Sequence, residues 1–275
     1  MEHQTTLASD IAFSGVGLHS GVEVHMRLKP ASAGTGVVFE RTDLPDRPRV
    51  RAVAACVAAT VRATTIVEDG VRFFTIEHLM SAISASGLDN CVVELDSEEP
   101  PVADGASLVF LDLIEQAGLQ TLDAERDVIA VDRVLRVDDG SRFIMIVPGD
   151  DLRITFTSLN PHPLVGTQYV DVVVDGDSYR KEIAPARTIA YEGEVEALRK
   201  AGLGLGGTLE TVIVYNDEGW LNTLRFPDEL ARHKVLDVIG DLCLAGVVRG
   251  HVIAVKSAHA LNTALAKKIY ETYRV

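Results

Sequence analysis

The 275-residue chain holds only three cysteines, Cys56, Cys91 and Cys243, with no CxxC pair among them. That excludes a disulfide scaffold and the thiolate-rich metal sites that CxxC pairs build. The three read as small buried hydrophobes of a reducing compartment, so any metal ligands must come from histidine and carboxylate. Long apolar runs are also missing. Nothing approaches the roughly 20 uninterrupted apolar residues of a membrane span, so no transmembrane segment is expected. The opening residues, Met-Glu-His-Gln-Thr-Thr, have neither the basic nor the apolar region of a signal peptide. A cytoplasmic location is expected. Positive charge is scarce, with a formal net charge of −14, which argues against a nucleic-acid partner that would need a basic face. A small anionic substrate stays compatible, because a few clustered Lys and Arg make a local positive site.

What is present is the balance of a globular protein, 47% hydrophobic and 24% charged, enough for a sizeable core. Residues 5 to 40 alternate apolar and polar positions around the turn-rich Ser14-Gly15-Val16-Gly17 and predict short strands, including Val22–Leu28. From Thr75 the period becomes helical, with Ile76, Leu79, Met80 and Ile83 in register and Gly87 as the stop. A strand at Cys91–Leu95, the loop Glu98-Glu99-Pro100-Pro101, and a helix from about Ser107 to Gln116 follow. The weakly periodic Thr121–Arg126 marks a boundary. It divides the chain into domains of residues 1–123 and 124–275. The second begins with strands at Asp127–Val137, Arg142–Val147 and Leu152–Ser158. It carries a β-α-β insert at about 183–215, with a helix Glu192–Ala201 and a strand Thr211–Tyr215. A strong helix from Pro227 to Leu244, a strand His251–Val255 and a last helix after Ser257 complete it. The segments around His78 and His259 echo each other, as do Phe110–Ile114 and Val235–Ile239. These echoes suggest an α+β fold of two similar domains, each a sheet packed on two helices.

The sharpest chemical signal is Arg232-His233-Lys234-Val235-Leu236-Asp237, continuing to Asp241. His233 and Asp237 stand four apart on a helix, one turn apart on one face, which is how a helix offers two ligands to one ion. The same spacing also suits a plain His–Asp hydrogen bond or a solvated face. His78, preceded by Glu77 at a helix start, could add a third ligand and a base, the set that metal hydrolases need around one open position. His259 opens the last helix, where an imidazolium could stabilise an oxyanion, and Asp241 could orient it. His19 lies in the flexible Gly15–Gly21 loop, where it could meet a ligand or simply belong to a turn. His3, His25, His162 and His251 stand in no such constellation.

These segments together resemble the UDP-3-O-acyl-N-acetylglucosamine deacetylases, zinc amidases of lipid A biosynthesis. The resemblance runs over nearly the whole chain, through Gly15–Gly21, Thr75–Leu79, Gly87–Asn90, Pro101–Gly105, Ala186–Thr188, Leu205–Gly207, Arg232–Asp241 and Lys256–Asn262. It implies an active site between two similar domains. It implies one Zn2+ per chain, with Fe2+ as the alternative, on His78, His233 and Asp237. Glu77 would be the general base, His259 the acid or electrostatic partner held by Asp241, and Thr188 an oxyanion donor. Lys234 and Lys256 would face the diphosphate head of the substrate, and His19, Ile189 and Gly207 would line its pocket. The implied partner is an acylated nucleotide sugar, and a monomer is expected.

The sequence departs from the family pattern after Arg187-Thr188, where Ile189-Ala190-Tyr191-Glu192-Gly193-Glu194 stands in place of an apolar stretch. Glutamates are costly to bury beside an acyl chain. The approach to Arg225-Phe226 is shorter as well. The expectation is intact amidase chemistry with altered acyl recognition. Two other readings remain: an amidase for a different N-acyl amino sugar, and a non-catalytic metal-binding relative. Glu77 and His259 weigh against the second, since a structural metal needs neither base nor acid.

Overall fold

The computed structural model describes residues 2–274. One five-stranded sheet lies in the first half, built from β2 (Ile11–Val16), β3 (Glu23–Pro30), β4 (Val37–Arg41), β5 (Arg49–Arg51) and β9 (Cys91–Leu95). Its order is β2-β3-β9-β4-β5, with β9 antiparallel to β3 and parallel to β4. The second half holds β12 (Leu135–Asp139), β13 (Arg142–Val147), β14 (Leu152–Leu159), β15 (Thr167–Val173) and β18 (Val247–Val255). They lie in the order β12-β13-β18-β14-β15, with β18 antiparallel to β13 and parallel to β14. The two sheets therefore repeat one strand order and one pattern of directions. A short β11 (Val128–Ala130) joins β18 from the side. The stretch expected as one strand, Asp127–Val137, is thus two: β11 beside the start of the central β18, and β12 at the edge of the sheet.

Each central strand is flanked by helices in the same way. α1 (Glu77–Ser86) leads into β9 and α2 (Leu108–Ala117) follows it. α5 (Glu229–Leu242) leads to β18 and α6 (His259–Tyr273) follows it. By position α1 corresponds to α5 and α2 to α6. The sequence echo between the His78 and His259 segments links α1 to α6 instead, so that likeness is coincidence between Leu/Ala-rich helices. The layered α+β class agrees with the sequence reading.

The remaining strands sit outside these sheets. β1 (His3–Leu7) pairs with β10 (Leu119–Glu125), and β6 (Val57–Ala59), β7 (Thr65–Glu68) and β8 (Val71–Phe74) make a small antiparallel sheet. After a single turn α3 (Gly176–Ser178), the insert forms β16 (Thr188–Tyr191), α4 (Glu192–Lys200) and β17 (Val212–Tyr215), its two strands parallel.

Alternating burial along β3 and β18 shows why these residues are strands. Val24, Met26 and Leu28 point inward from β3, as do Val252 and Ala254 from β18. Gly87 ends α1 in the left-handed region, φ 74°, a conformation that glycine adopts without a Cβ penalty. One apolar core runs through both sheets and the four helices between them. α1 and α5 cross at Gly240, where a Cβ would stand 2.1 Å from the Glu77 carbonyl oxygen.

Gly240→Ala therefore tests the crossing. Alanine would gain up to about 1 kcal/mol in helix propensity, whereas forcing a methyl against main chain costs about 1–3 kcal/mol. The expected result is a lower urea midpoint at unchanged m-value; a raised midpoint would show slack between the helices.

Candidate functional site

The α1–α5 crossing sets the site. Along α5, Glu229, His233, Asp237 and Asp241 recur every four residues, each 2% exposed or less. A buried polar stripe of this kind needs partners for every member, and each link finds them differently.

His233 directs Nδ1 at the Ala186 carbonyl, 3.0 Å away. A carbonyl only accepts, so Nδ1 carries the proton and the Nε2 lone pair is free toward Asp237 Oδ1, 3.4 Å away. His78 Nε2, from the first turn of α1, lies 4.0 Å from the same oxygen. The two imidazoles meet edge to face at 5.0 Å. Asp237 Oδ1 is buried without any hydrogen-bond partner. A buried carboxylate oxygen that has no hydrogen-bond donor and faces two imidazole nitrogens suits a cation as its partner. One donor atom from each of His78, His233 and Asp237 lies within 4.8 Å of the others, so the trio could hold a metal ion. Burial, reinforced by neighbouring His233, holds His78 neutral with a pKa of about 3, the form that ligates. Burial would raise Asp237, but His233, Lys234, His259 and His78 outweigh it and keep the carboxylate ionised.

Glu77 and His259 face this trio. Glu77 Oε2 accepts from the Thr64 amide at 3.0 Å, and Oε1 is 3.8 Å from His259 Nε2. Burial pushes Glu77 up to about 7 against the pull of His259, with Asp241 and Asp237 adding to the rise. Burial alone would depress His259, yet Asp241, Glu77 and Asp237 raise it to about 10. The site thus pairs a carboxylate poised near neutrality with a persistent imidazolium, the environment-driven separation that acid–base sites need. Asp241 accepts from His259 Nδ1 at 2.9 Å, Asn262 Nδ2 at 2.9 Å and Thr64 Oγ1 at 2.5 Å.

A cavity of about 540 Å³ opens over these groups, with an apolar wall that includes Leu18, Ile189, Val195, Leu198, Leu203 and Val212. Thr188, His19 and Gly207 also line it. His19 Nδ1 accepts from the Gly204 amide at 3.1 Å, which ties the glycine loop to the insert. A larger cavity, about 620 Å³, lies behind α1 and α5 and contains none of the metal-donor residues.

Lys234 lines the site cavity, and its ammonium donates to Asp237 Oδ2 at 2.7 Å. Lys256 is not in the cavity wall; its ammonium reaches Ser141 Oγ in the β12–β13 turn at 3.2 Å. The premise that Glu192 and Glu194 would be buried against an acyl chain is corrected. Both are exposed: Glu192 accepts from Asn216, and Glu194 pairs with Arg62 at 2.8 Å. α4 turns Val195 and Leu198, one turn apart, toward the cavity, while Glu194 and Glu196 stay outside its wall and Glu192, though exposed, stands at its rim.

Sequence reading missed several supports. Thr64, in a loop without a motif, joins Glu77 to Asp241. Glu229 sits in the first turn of α5, a place where an acid commonly just faces the helix dipole. It is instead a buried partner of Arg187, accepting from that residue's amide and Nε at 3.0 Å each and from the Arg225 amide at 2.6 Å. The four-residue spacing from Glu229 to His233 was the available signal.

The comparisons with known proteins agree with this geometry. A family model described as UDP-3-O-acyl N-acetylglycosamine deacetylase matches residues 4–271. Proteins named UDP-3-O-acyl-N-acetylglucosamine deacetylase are similar along almost their full length. One from Syntrophotalea carbinolica is 41% identical over 272 residues, 98% of this chain and 88% of the relative. One from Myxococcus xanthus is 42% identical, over 97% and 86%. One from Marinobacter nauticus is 40% identical, over 98% and 90%. A match over nearly the whole chain, with the histidine–carboxylate cluster at its centre, makes this chain a member of the UDP-3-O-acyl N-acetylglycosamine deacetylase family.

Proposed function

We propose that this chain hydrolyses the N-acetyl group of a UDP-3-O-acyl-N-acetylglucosamine, releasing acetate and a free 2-amino group. The observation that carries the reading is the orphaned Asp237 Oδ1 between two imidazoles, set against Glu77 and His259 at the floor of an apolar cavity. Two imidazoles and one carboxylate, without thiolate, suit Zn2+ with one position left open. Bound there, zinc supplies Lewis acidity toward the acetyl carbonyl and the attacking water. Glu77, with a pKa raised to about 7 by burial, takes the proton of that water in its carboxylate form. His259, held as imidazolium by Asp241, stabilises the oxyanion and gives a proton to the departing amine. Thr188, on the cavity wall, offers its hydroxyl to the same oxyanion, and Lys234 offers positive charge to the nucleotide head. The apolar wall takes the 3-O-acyl chain. The division into residues 1–123 and 124–275 and a monomeric state belong to this reading.

The described residues contain no helix long and apolar enough to cross a membrane.

Glu77→Ala should abolish acetate release while one zinc per chain remains, measured by metal analysis beside a mass-spectrometric acetate assay. Loss of zinc in that variant would make Glu77 a ligand instead. An amidase for another N-acyl amino sugar is the second reading. UDP-N-acetylglucosamine with and without its 3-O-acyl group separates the two: the proposal expects a strong preference for the acylated compound, and equal rates would sink it. Zinc at a thousandfold excess over its dissociation constant should stabilise the chelator-stripped protein by about 4 kcal/mol. His78→Ala should remove most of that response in thermal melts.

A further inference from the structure

Three anomalies meet beside the site cavity. The first is Glu99, 0% exposed, while the nearby arginines Arg41 and Arg72 pair with its neighbour Glu98. A carboxylate buried away from cations persists only if hydrogen bonds replace its lost water. Glu99 accepts three. Oε1 takes the His19 amide at 2.9 Å and the Thr75 hydroxyl at 2.8 Å, and Oε2 takes the Ser20 amide at 2.8 Å.

The second is Thr75, buried with φ +56°. A β-branched residue seldom adopts that region, and such strain persists only where surrounding contacts over-determine it. Thr75 stands two residues ahead of Glu77. The third is Gly17, where a Cβ would lie 2.4 Å from Glu99 Oε2 and 2.3 Å from Ser20 Oγ. The loop can close around the carboxylate only because that position has no side chain.

We infer that Glu99 is a positioning residue for the reaction. Its carboxylate holds the cavity wall at Leu18–Ser20 and the strained turn that launches Glu77 and His78 from one point. Glu99 itself is not in the cavity wall, so it acts through those two segments. Oε1 serves both at once, through the His19 amide and the Thr75 hydroxyl, and therefore couples the register of the wall to the start of α1. The activity part of this inference rests on the deacetylase reading.

Glu99→Gln keeps the volume but turns an amide NH2 toward at least one N–H or O–H donor. With the acylated substrate, kcat/KM should fall about 100-fold, the size of effect that a misplacement of about 1 Å produces, in folded protein that keeps one zinc. Thr75→Val cuts only the helix branch and should lower kcat with KM held. Gly17→Ala sets a methyl against both Ser20 and the Glu99 carboxylate, so it should raise KM by breaking the same clasp, and adding Glu99→Gln to it should raise KM little further. Unchanged kcat/KM in folded, zinc-loaded Glu99→Gln overturns the inference, as do fully additive KM losses in the double variant. Should Glu99→Gln not fold, an unchanged kcat in Thr75→Val overturns it. If the wild-type protein shows no deacetylase activity, the functional reading fails instead. Amide hydrogen exchange at His19 and Ser20 then decides the placement: faster in Glu99→Gln supports it, unchanged overturns it.

Discussion

The close crossing of α1 over α5 is the constraint on which the rest of the structure depends. A glycine at 240 lets the two helices approach until the Glu77 carbonyl rests on the α5 backbone. That approach brings His78 to His233 and Asp237, and Glu77 to His259. Neither half of the chain holds the candidate donor set alone: one donor comes from the helix before β9, two from the helix before β18. The repeated strand order makes this meeting possible, because equivalent helices leave equivalent sheets and face each other.

Electrostatics then divides labour among groups that would otherwise compete. Five ionisable side chains, Glu77, His78, His233, Asp237 and His259, occupy one nearly dry region, where burial opposes every charge. Neutral His78 and ionised Asp237 suit a cation. Glu77 is poised near neutral pH, and His259 stays positive because three carboxylates surround it. The pattern follows from which neighbours each group keeps. Asp241, fully buried and accepting from three donors, orients the His259 ring and favours its charged form without entering the cavity.

Much of this was legible in the sequence, for identifiable reasons. Helices α1, α2, α5 and α6 carry clear apolar periods, and the four-residue spacing of His233, Asp237 and Asp241 puts them on one buried face. Glu77 and His78 stand at a helix start, where the pattern changes visibly. Other features had no local signature. Thr64 matters only because two segments distant in sequence converge on it. The inward turn of α4 was hidden because its glutamates are frequent and its apolar residues few, so composition suggested a polar wall where geometry sets Val195 and Leu198 between Glu192 and Arg199. The repeat of strand order shows only in the pairing of strands, while the apparent echo of helix sequences pointed to the wrong pair. Long-range pairing is the information that a linear reading lacks.

The placement of His78 far from His233 and Asp237 along the chain also bears on how the molecule folds. A cation gripped by all three would act as a removable cross-link between distant segments, closing a long loop of chain. Because the three donors meet only in the folded chain, the clip would act by mass action on the folded state and leave the unfolded chain unrestricted. The donors lie on helices of different halves, α1 and α5, and meet only where those helices pack together. Metal capture would therefore come late in folding, as a lock on a finished architecture rather than a nucleus for it.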